Sequence, residues 1–292
     1  MIISQDKDEL IKLFQSQSPE PVWSFEGCKP SETSKWTHGY HRYPAKFIPQ
    51  LVEKLIDEYG TGHAIQLNDP FMGSGTTVAT AISRGLVVSG TDVNAMAYLI
   101  TKVKTTPIEP TYLDKKIKGL LAKISPVDNP MFGNGNGNHA AIPQKHIARI
   151  DYWFSEDNKN ELGKILGVIY QEEDSKIRDF FLVAFSHILK NCAIWLQGST
   201  KPTRDLKKIP INSRLALQRH LKAMQRGNER FYAVVPPNVR ENVQPYLNIQ
   251  LGDARHQPVA NESVDLVVTS SPYVTSYEYA DLHQLSTIWL DL

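Results

Sequence analysis

Asp69-Pro70-Phe71-Met72-Gly73-Ser74-Gly75-Thr76-Thr77 is the stretch on which the reading of this 292-residue chain turns. The apolar segment Ala64 to Leu67 leads into it, and Thr77-Val78-Ala79-Thr80-Ala81-Ile82-Ser83-Arg84 follows, with Gly85 behind. That succession predicts a strand, a glycine turn, a helix and its C-terminal cap. Glycines in such a turn let the backbone come close to a ligand, because no Cβ stands in the way. The next apolar run, Leu86 to Thr91, ends on Asp92. That acid lies about twenty residues past the glycines, where a nucleotide-binding half-sheet places a carboxylate for ribose hydroxyls.

A glycine turn with a downstream acid is shared by many nucleotide folds, so a second run decides among them. Val264-Asp265-Leu266-Val267-Val268 has the composition of a buried strand, and Thr269-Ser270-Ser271-Pro272-Tyr273 follows at its carboxyl end. Open α/β sheets hold their substrates there. The hydroxyl, backbone carbonyl and aromatic face of Ser270 to Tyr273 suit one chemistry in particular. An exocyclic amine conjugated to a base ring is a poor nucleophile. A site that alkylates it must accept its hydrogen bonds, which favours sp3 character on nitrogen, and must hold the ring still for in-line attack.

With both runs quoted, the chain resembles the S-adenosylmethionine-dependent amino-group DNA methyltransferases, in particular the cytosine-N4 type. There a D-P-F-x-G-S-G-T-T turn binds the cofactor and an S-P-P-Y tetrapeptide carries the reaction. The resemblance also takes in His41-Arg42-Tyr43-Pro44-Ala45-Lys46-Phe47, similar to a segment that closes over the methionine end of the cofactor, and Gly252-Asp253-Ala254-Arg255 after a strand Leu247 to Leu251. It covers roughly residues 36 to 105 and 245 to 292. It implies Tyr43, Lys46, Asp69, Phe71, Gly73, Gly75 and Thr76 as the cofactor pocket, Asp92 on the ribose, and Asp253 on the adenine. For Asp253 a plain turn residue is an equally open reading. It further implies that Ser270 accepts from the target amine, Ser271 offers its carbonyl, Pro272 sets the turn and Tyr273 stacks on the base. The target would be flipped out of duplex DNA, since its amine is unreachable inside the stack. One position departs from the pattern: Ser271 stands where the family has its first proline, so the carbonyl survives but the fixed φ does not.

Composition sets outer bounds. The chain is 41% hydrophobic with a net charge of +1, has no run of about eighteen apolar residues, and starts without a signal-peptide pattern. A cytoplasmic protein is expected, with no membrane partner. Cys28 and Cys192 lack metal-ligand spacing and read as packing thiols, so no metal is implied. Charge is uneven: Lys201, Arg204, Lys207, Lys208, Arg214, Arg219, Lys222, Arg226 and Arg230 face only Asp205 and Glu229, a local excess of seven. Such a patch is either a solvated helical face or a phosphate contact, and the catalytic motif favours the second. Lys201, Arg204, Lys207, Lys208 and Arg214 are the candidate DNA contacts.

These signals predict an α/β fold, a Rossmann-like methyltransferase sheet with a mostly helical insertion. The expected organisation is an N-terminal arm (1–35), a cofactor-binding half (36–111), a helical insertion that could choose the target sequence (112–245), and a catalytic half (246–292). Helices are expected over Pro49 to Tyr59, Asn94 to Lys104, Glu161 to Tyr170, Ser175 to Leu189 and Ala280 to Leu290. Phe132 to His139 reads as a loop tip, and His187 as packed or capping rather than catalytic. Strands can be placed at about 64–68, 86–91, 247–251 and 264–269, where the family has seven. The sheet is therefore expected to be incomplete beyond the Val264 strand, through a second chain that completes it, a truncation, or a homodimer. Four functions stay open: cytosine-N4 methylation, adenine-N6 methylation, RNA guanine-N2 methylation, and a half-enzyme that binds cofactor and DNA for a partner.

Overall fold

The computed structural model describes residues 7–16, 20–43, 46–60, 65–125, 140–272 and 279–292. Its centre is a four-stranded, all-parallel sheet of β1 (Gln66–Asp69), β2 (Val87–Asp92), β3 (Leu247–Leu251) and β4 (Leu266–Val267), in the order β3-β2-β1-β4. All four strands fall at the segments anticipated from the sequence, β1 and β2 running one residue past them. β4 is shorter than its apolar run. Among the described strands it pairs only with β1, through Leu67 with Leu266 and Asn68 with Val267, so the ladder ends after two pairs. Val267 is 54% exposed on this free edge.

Along the chain the first helices are α1 (Lys7–Ser16), α2 (Pro30–Thr33), α3 (Pro49–Tyr59), α4 (Thr76–Ser83), α5 (Ala95–Lys104) and α6 (Pro110–Lys123). Next come α7 (Ile147–Trp153), α8 (Glu156–Tyr170), α9 (Ser175–Cys192), α10 (Ser213–Val234) and α11 (Pro237–Glu241). α12 (Tyr279–Leu282) and α13 (Gln284–Leu290) end it; the helix expected over 280–290 is interrupted at His283. Local chemistry sets several of these boundaries. Asn94 caps α5 by accepting from the Met96 and Ala97 amides, Asp174 caps α9, and Pro49 and Pro110 open α3 and α6, where a missing N–H costs nothing. Gly85, at φ +72°, takes the left-handed turn that ends α4 and starts β2.

α4 lies over β1 and β2, and α5 over β2 and β3. Behind them, α9 packs on α5, and α10 packs on α6, α8 and α9. Two apolar clusters result. A smaller one joins the sheet (Leu67, Val88) to α3, α4 and the end of α10 (Phe231), and a larger one fills the helical layer around Phe180, Phe185 and Trp289. No described helix is long and apolar enough to cross a membrane.

Candidate active site

In sequence order the chain runs through β1 and β2 to the β3 edge, then returns to the other side of β1 as β4. The order reverses between β1 and β4, and in parallel sheets ligands bind in the crevice outside the carboxyl ends at such a point. A cavity of about 540 Å³ opens there, within the range for a cofactor-sized ligand of roughly 300 to 1,000 Å³. Its wall includes Tyr43, Lys46, Asp69, Phe71, Gly73, Thr76, Asp92, Asp253, Ser270 and Pro272. Two motifs about 200 residues apart in the chain thus share one chamber. Among the predicted residues, Tyr273 lies outside the described residues, as do Pro44, Ala45 and the 132–139 loop. Ser271 is exposed.

The glycine turn is held from three sides. Gly73 and Gly75 have φ of +49° and +69°, in the left-handed region that costs other residues about 1 kcal/mol or more. A Cβ on Gly73 would stand 3.2 Å from the Tyr43 ring, and one on Gly75 would stand 2.5 Å from Thr101 Cγ2. From below, Thr101 Oγ1 donates to the Gly73 carbonyl (2.9 Å) and Lys104 Nζ donates to the Ser74 carbonyl (2.5 Å). From the β2 side, Asp92 accepts from the Gly73 amide on one oxygen and from the Asn94 amide on the other, each at 2.8 Å. Each oxygen keeps a lone pair for a hydroxyl. Burial raises the Asp92 pKa, while its two backbone donors pull it down.

Asp69 links the two motifs. Its Oδ1 accepts from Thr269 Oγ1 (2.7 Å), next to the tetrapeptide, and from the Phe71 amide (3.2 Å). Burial pushes its pKa up to about 6, against the hydrogen bonds of Thr269 and Thr77. The Val268 amide donates to Asn68, and Thr77 Oγ1 donates to the Val268 carbonyl, so β1, α4 and the catalytic strand are tied together.

The Tyr43 wall rests on neutral rings. His283 lies 5.3 Å from Tyr43 and 5.8 Å from His41; His187 stacks on His220 at 3.6 Å and meets His41 edge-on. Burial pushes the pKa of His41 down to about 3, and those of His220 and His283 to about 4. Lys46 donates to the His38 carbonyl (2.8 Å), its pKa lowered by burial. Ser74 and Thr76 belong to the cavity wall, and their buried hydroxyls have no hydrogen-bond partner among the described residues. Val93, on the rim, is 76% exposed. Unpaired buried hydroxyls and an uncovered apolar side chain at one cavity are what a mixed polar and apolar cofactor would satisfy.

The remaining predicted residues separate. Asp253 lines the cavity but is gripped by Arg255 at 2.6 to 3.0 Å, and that guanidinium holds its carboxyl well below the usual range. Lys208 turns inward: its ammonium donates to the carbonyls of Lys190 (2.7 Å) and Trp195 (2.8 Å). Arg214 pairs with Glu161 at 3.5 Å. Lys201, Arg204 and Lys207 stand exposed on the 196–211 loop, with Arg204 over the Tyr152 ring. Sequence reasoning missed Thr101 and Lys104. Their signal is spacing: three apart on α5, they share the face turned to the glycine turn. Among the described residues, no group of three or more His, Cys, Asp or Glu side chains is arranged to hold a metal ion.

A family described as DNA methylase matches residues 2–102. Type II methyltransferase M.MvaI of Kocuria varians is 32% identical over 296 aligned positions, covering 98% of this chain and 64% of that protein. Type II methyltransferase M.BsoBI of Geobacillus stearothermophilus is 23% identical, covering 87% of this chain and 52% of its own. Type II methyltransferase M.MjaII of Methanocaldococcus jannaschii is 36% identical over 100 residues, 34% of this chain and 19% of that protein. The chain thus spans less than two thirds of the length of these relatives. No solved structure matches it. By its cofactor turn, its parallel sheet with the tetrapeptide strand beside β1, and these matches, the chain is similar to the amino-group DNA methyltransferases, a family whose methyl donor is S-adenosylmethionine.

Proposed function

We propose that this chain carries the methyl-transfer centre of a DNA methyltransferase acting on the N4 amine of cytosine in duplex DNA. The observation that carries the proposal is the single cavity lined by both the glycine turn and Ser270-Pro272. Bound S-adenosylmethionine supplies an electrophilic methyl on a sulfonium, and the sulfur leaves as a neutral thioether. The residues of the chain do the rest. Ser270 Oγ and the Ser271 carbonyl accept the two amine hydrogens, drawing the nitrogen lone pair out of conjugation. Those two acceptors would stabilise the positive charge that grows on nitrogen as it takes up the methyl. The proton released afterwards departs along the same hydrogen bonds. Asp92 and the glycine turn hold the nucleoside and amino-acid ends of the donor, and the Tyr43 wall keeps water out.

Serine at position 270 is what favours cytosine, since the family's adenine enzymes carry an aspartate or asparagine there. The edge of β4, with Val267 54% exposed, supports a further segment or second chain pairing along it in the working enzyme.

The test is transfer of labelled methyl to mixed-sequence duplex DNA and, in a parallel reaction, to RNA, each followed by nucleoside analysis. N4-methylcytosine is expected. N6-methyladenine would move the assignment to the other amine, and label in RNA guanine alone would overturn the DNA reading. Ser270→Ala should lower transfer about 100-fold or more with cofactor affinity nearly intact, as for loss of one transition-state hydrogen bond. Gly73→Asp should abolish cofactor binding, because a side chain there meets the Tyr43 ring.

A further inference from the structure

Leu206 and Ile209 are 77% and 90% exposed, the most exposed large apolar side chains among the described residues. A scattered exposed leucine is ordinary, but these two sit on one short loop that is otherwise well made. Trp195 and Arg204 form an antiparallel bridge at its base. The Leu196 amide donates to Thr203 (2.8 Å) and the Asp205 amide to Ile194 (2.7 Å). Just past the bridge, Asp205 accepts from the Lys207 amide with its side chain (3.0 Å) and from the Lys208 amide with its carbonyl (3.2 Å), a tight turn that presents Leu206 and Lys207 at its crest. The inward Lys208 ammonium bolts the far arm to the end of α9. The loop is therefore rigid where it could have folded its apolar residues inward, and it holds them out beside the exposed cations Lys201, Arg204 and Lys207.

Its base also connects to the cavity wall. Asn191 Oδ1 accepts from Arg42 Nη1 and from Gln197 Nε2, each at 3.1 Å, and the Asn191 carbonyl accepts from the Ile211 amide. Arg42 is the neighbour of Tyr43, which lines the cavity. One hydrogen-bonded joint thus spans from the reaction chamber to the loop.

Rigid apolar residues flanked by cations are what enters a duplex: cations meet phosphates, and an apolar wedge between base steps separates them. We propose that the 196–211 loop is a DNA wedge, with Leu206 or Ile209 inserted into the stack to hold open the place that the target base leaves. The proposal rests on the duplex-DNA reading above. The wedge acts on the base-opening step rather than on the methyl transfer itself, so Leu206 and Ile209 are positioning residues.

The experiment compares the full chain with the Leu206→Ser/Ile209→Ser double variant, reading fluorescence on a duplex bearing 2-aminopurine at the position that methylation mapping identifies as the target, and kcat on the same duplex with cytosine at that position. Wild type should raise the fluorescence of that base. The variant should not, and its kcat should fall about 10- to 100-fold, the range set by the cost of unstacking one base. Its affinity for S-adenosylmethionine should be unchanged. A mismatch opposite the target, which opens the pair in advance, should restore the variant's rate but leave the wild type nearly as it was. Equal fluorescence and kcat in variant and wild type would overturn the wedge while leaving the methyltransferase reading in place. So would a deficit that the mismatch fails to relieve, or a wild-type dimer that the double variant dissociates, which would make the patch a protein contact. A wild-type chain that does not bind duplex DNA would overturn both readings, and would do so before any variant is made.

Discussion

Asp69 brings a carboxyl into the floor of the chamber and keeps it there with hydrogen bonds to Thr269 and Phe71. Its folded pKa of about 6 lies above its unfolded value near 3.8, so the folded state holds the proton longer than the unfolded one. Asp69 therefore weakens the fold progressively as pH rises from about 4 to about 6, and the cost is full above that. Asp69→Asn keeps the acceptor and removes the charge. Relative to wild type it should be stabilised by on the order of 2 kcal/mol at pH 8 and by little at pH 4, measured by denaturant unfolding at the two values. A difference that does not vary with pH would refute the assignment. At this scale the sequence is unevenly legible. Gly73 and Gly75 could be singled out because a left-handed turn admits little else, and Asp92 because its distance from them is fixed by one βαβ step. Lys104 could not: a lysine in the last turn of an amphipathic helix reads as solvated, whereas this one is buried against a single carbonyl. Lys208 is hidden for the same reason, since charge alone does not say which way an ammonium points.

At the scale of elements, α10 shows how a local preference can be overruled. Glycine in mid-helix is disfavoured by about 1 kcal/mol relative to alanine, yet Gly227 lies in the middle of α10. A Cβ there would be 2.4 Å from the Trp36 carbonyl oxygen and 2.9 Å from Tyr40 Cε1. The helix can approach the Trp36–Gly39 turn, and through it the Tyr43 wall, only without a side chain. Gly227→Ala should lower stability by about 1 to 3 kcal/mol despite its better helix propensity, read as a shifted denaturant midpoint at constant slope. An increase in stability would show that the turn yields. The strands and the helices α3, α4, α5, α8 and α9 were legible in approximate place because their periodicities are local, whereas α1, α6, α7 and α10 were not singled out. The shortness of β4 was not, because Val264 to Val268 carries a strand composition and only the absence of a second partner among the described strands ends the ladder. The break at His283 was likewise hidden, since Ala280 to Leu290 has no proline or glycine to mark it.

For the whole molecule, strand order had to come from the structure: the return of β4 to the side of β1 is a long-range pairing that no local pattern encodes. It is also what brings two distant motifs together. The helical region after residue 110 shares its core with the cofactor half, since Met96, Ile100 and Val103 of α5 belong to the same cluster as Phe180 and Leu217. Heat should therefore melt the chain in one step. Tryptophan emission, drawn largely from Trp153, Trp195 and Trp289 in the helical cluster, should follow the same curve as far-ultraviolet circular dichroism. Separate transitions would show two independent units. α10 runs through both clusters, with Leu217 and Met224 in one and Phe231 in the other. Its 22 residues make a rod about 33 Å long, with the apolar loop just ahead of its first turn. Along that rod there is no break between grip and chamber. When the loop seizes a duplex, the compliance has to come from the DNA.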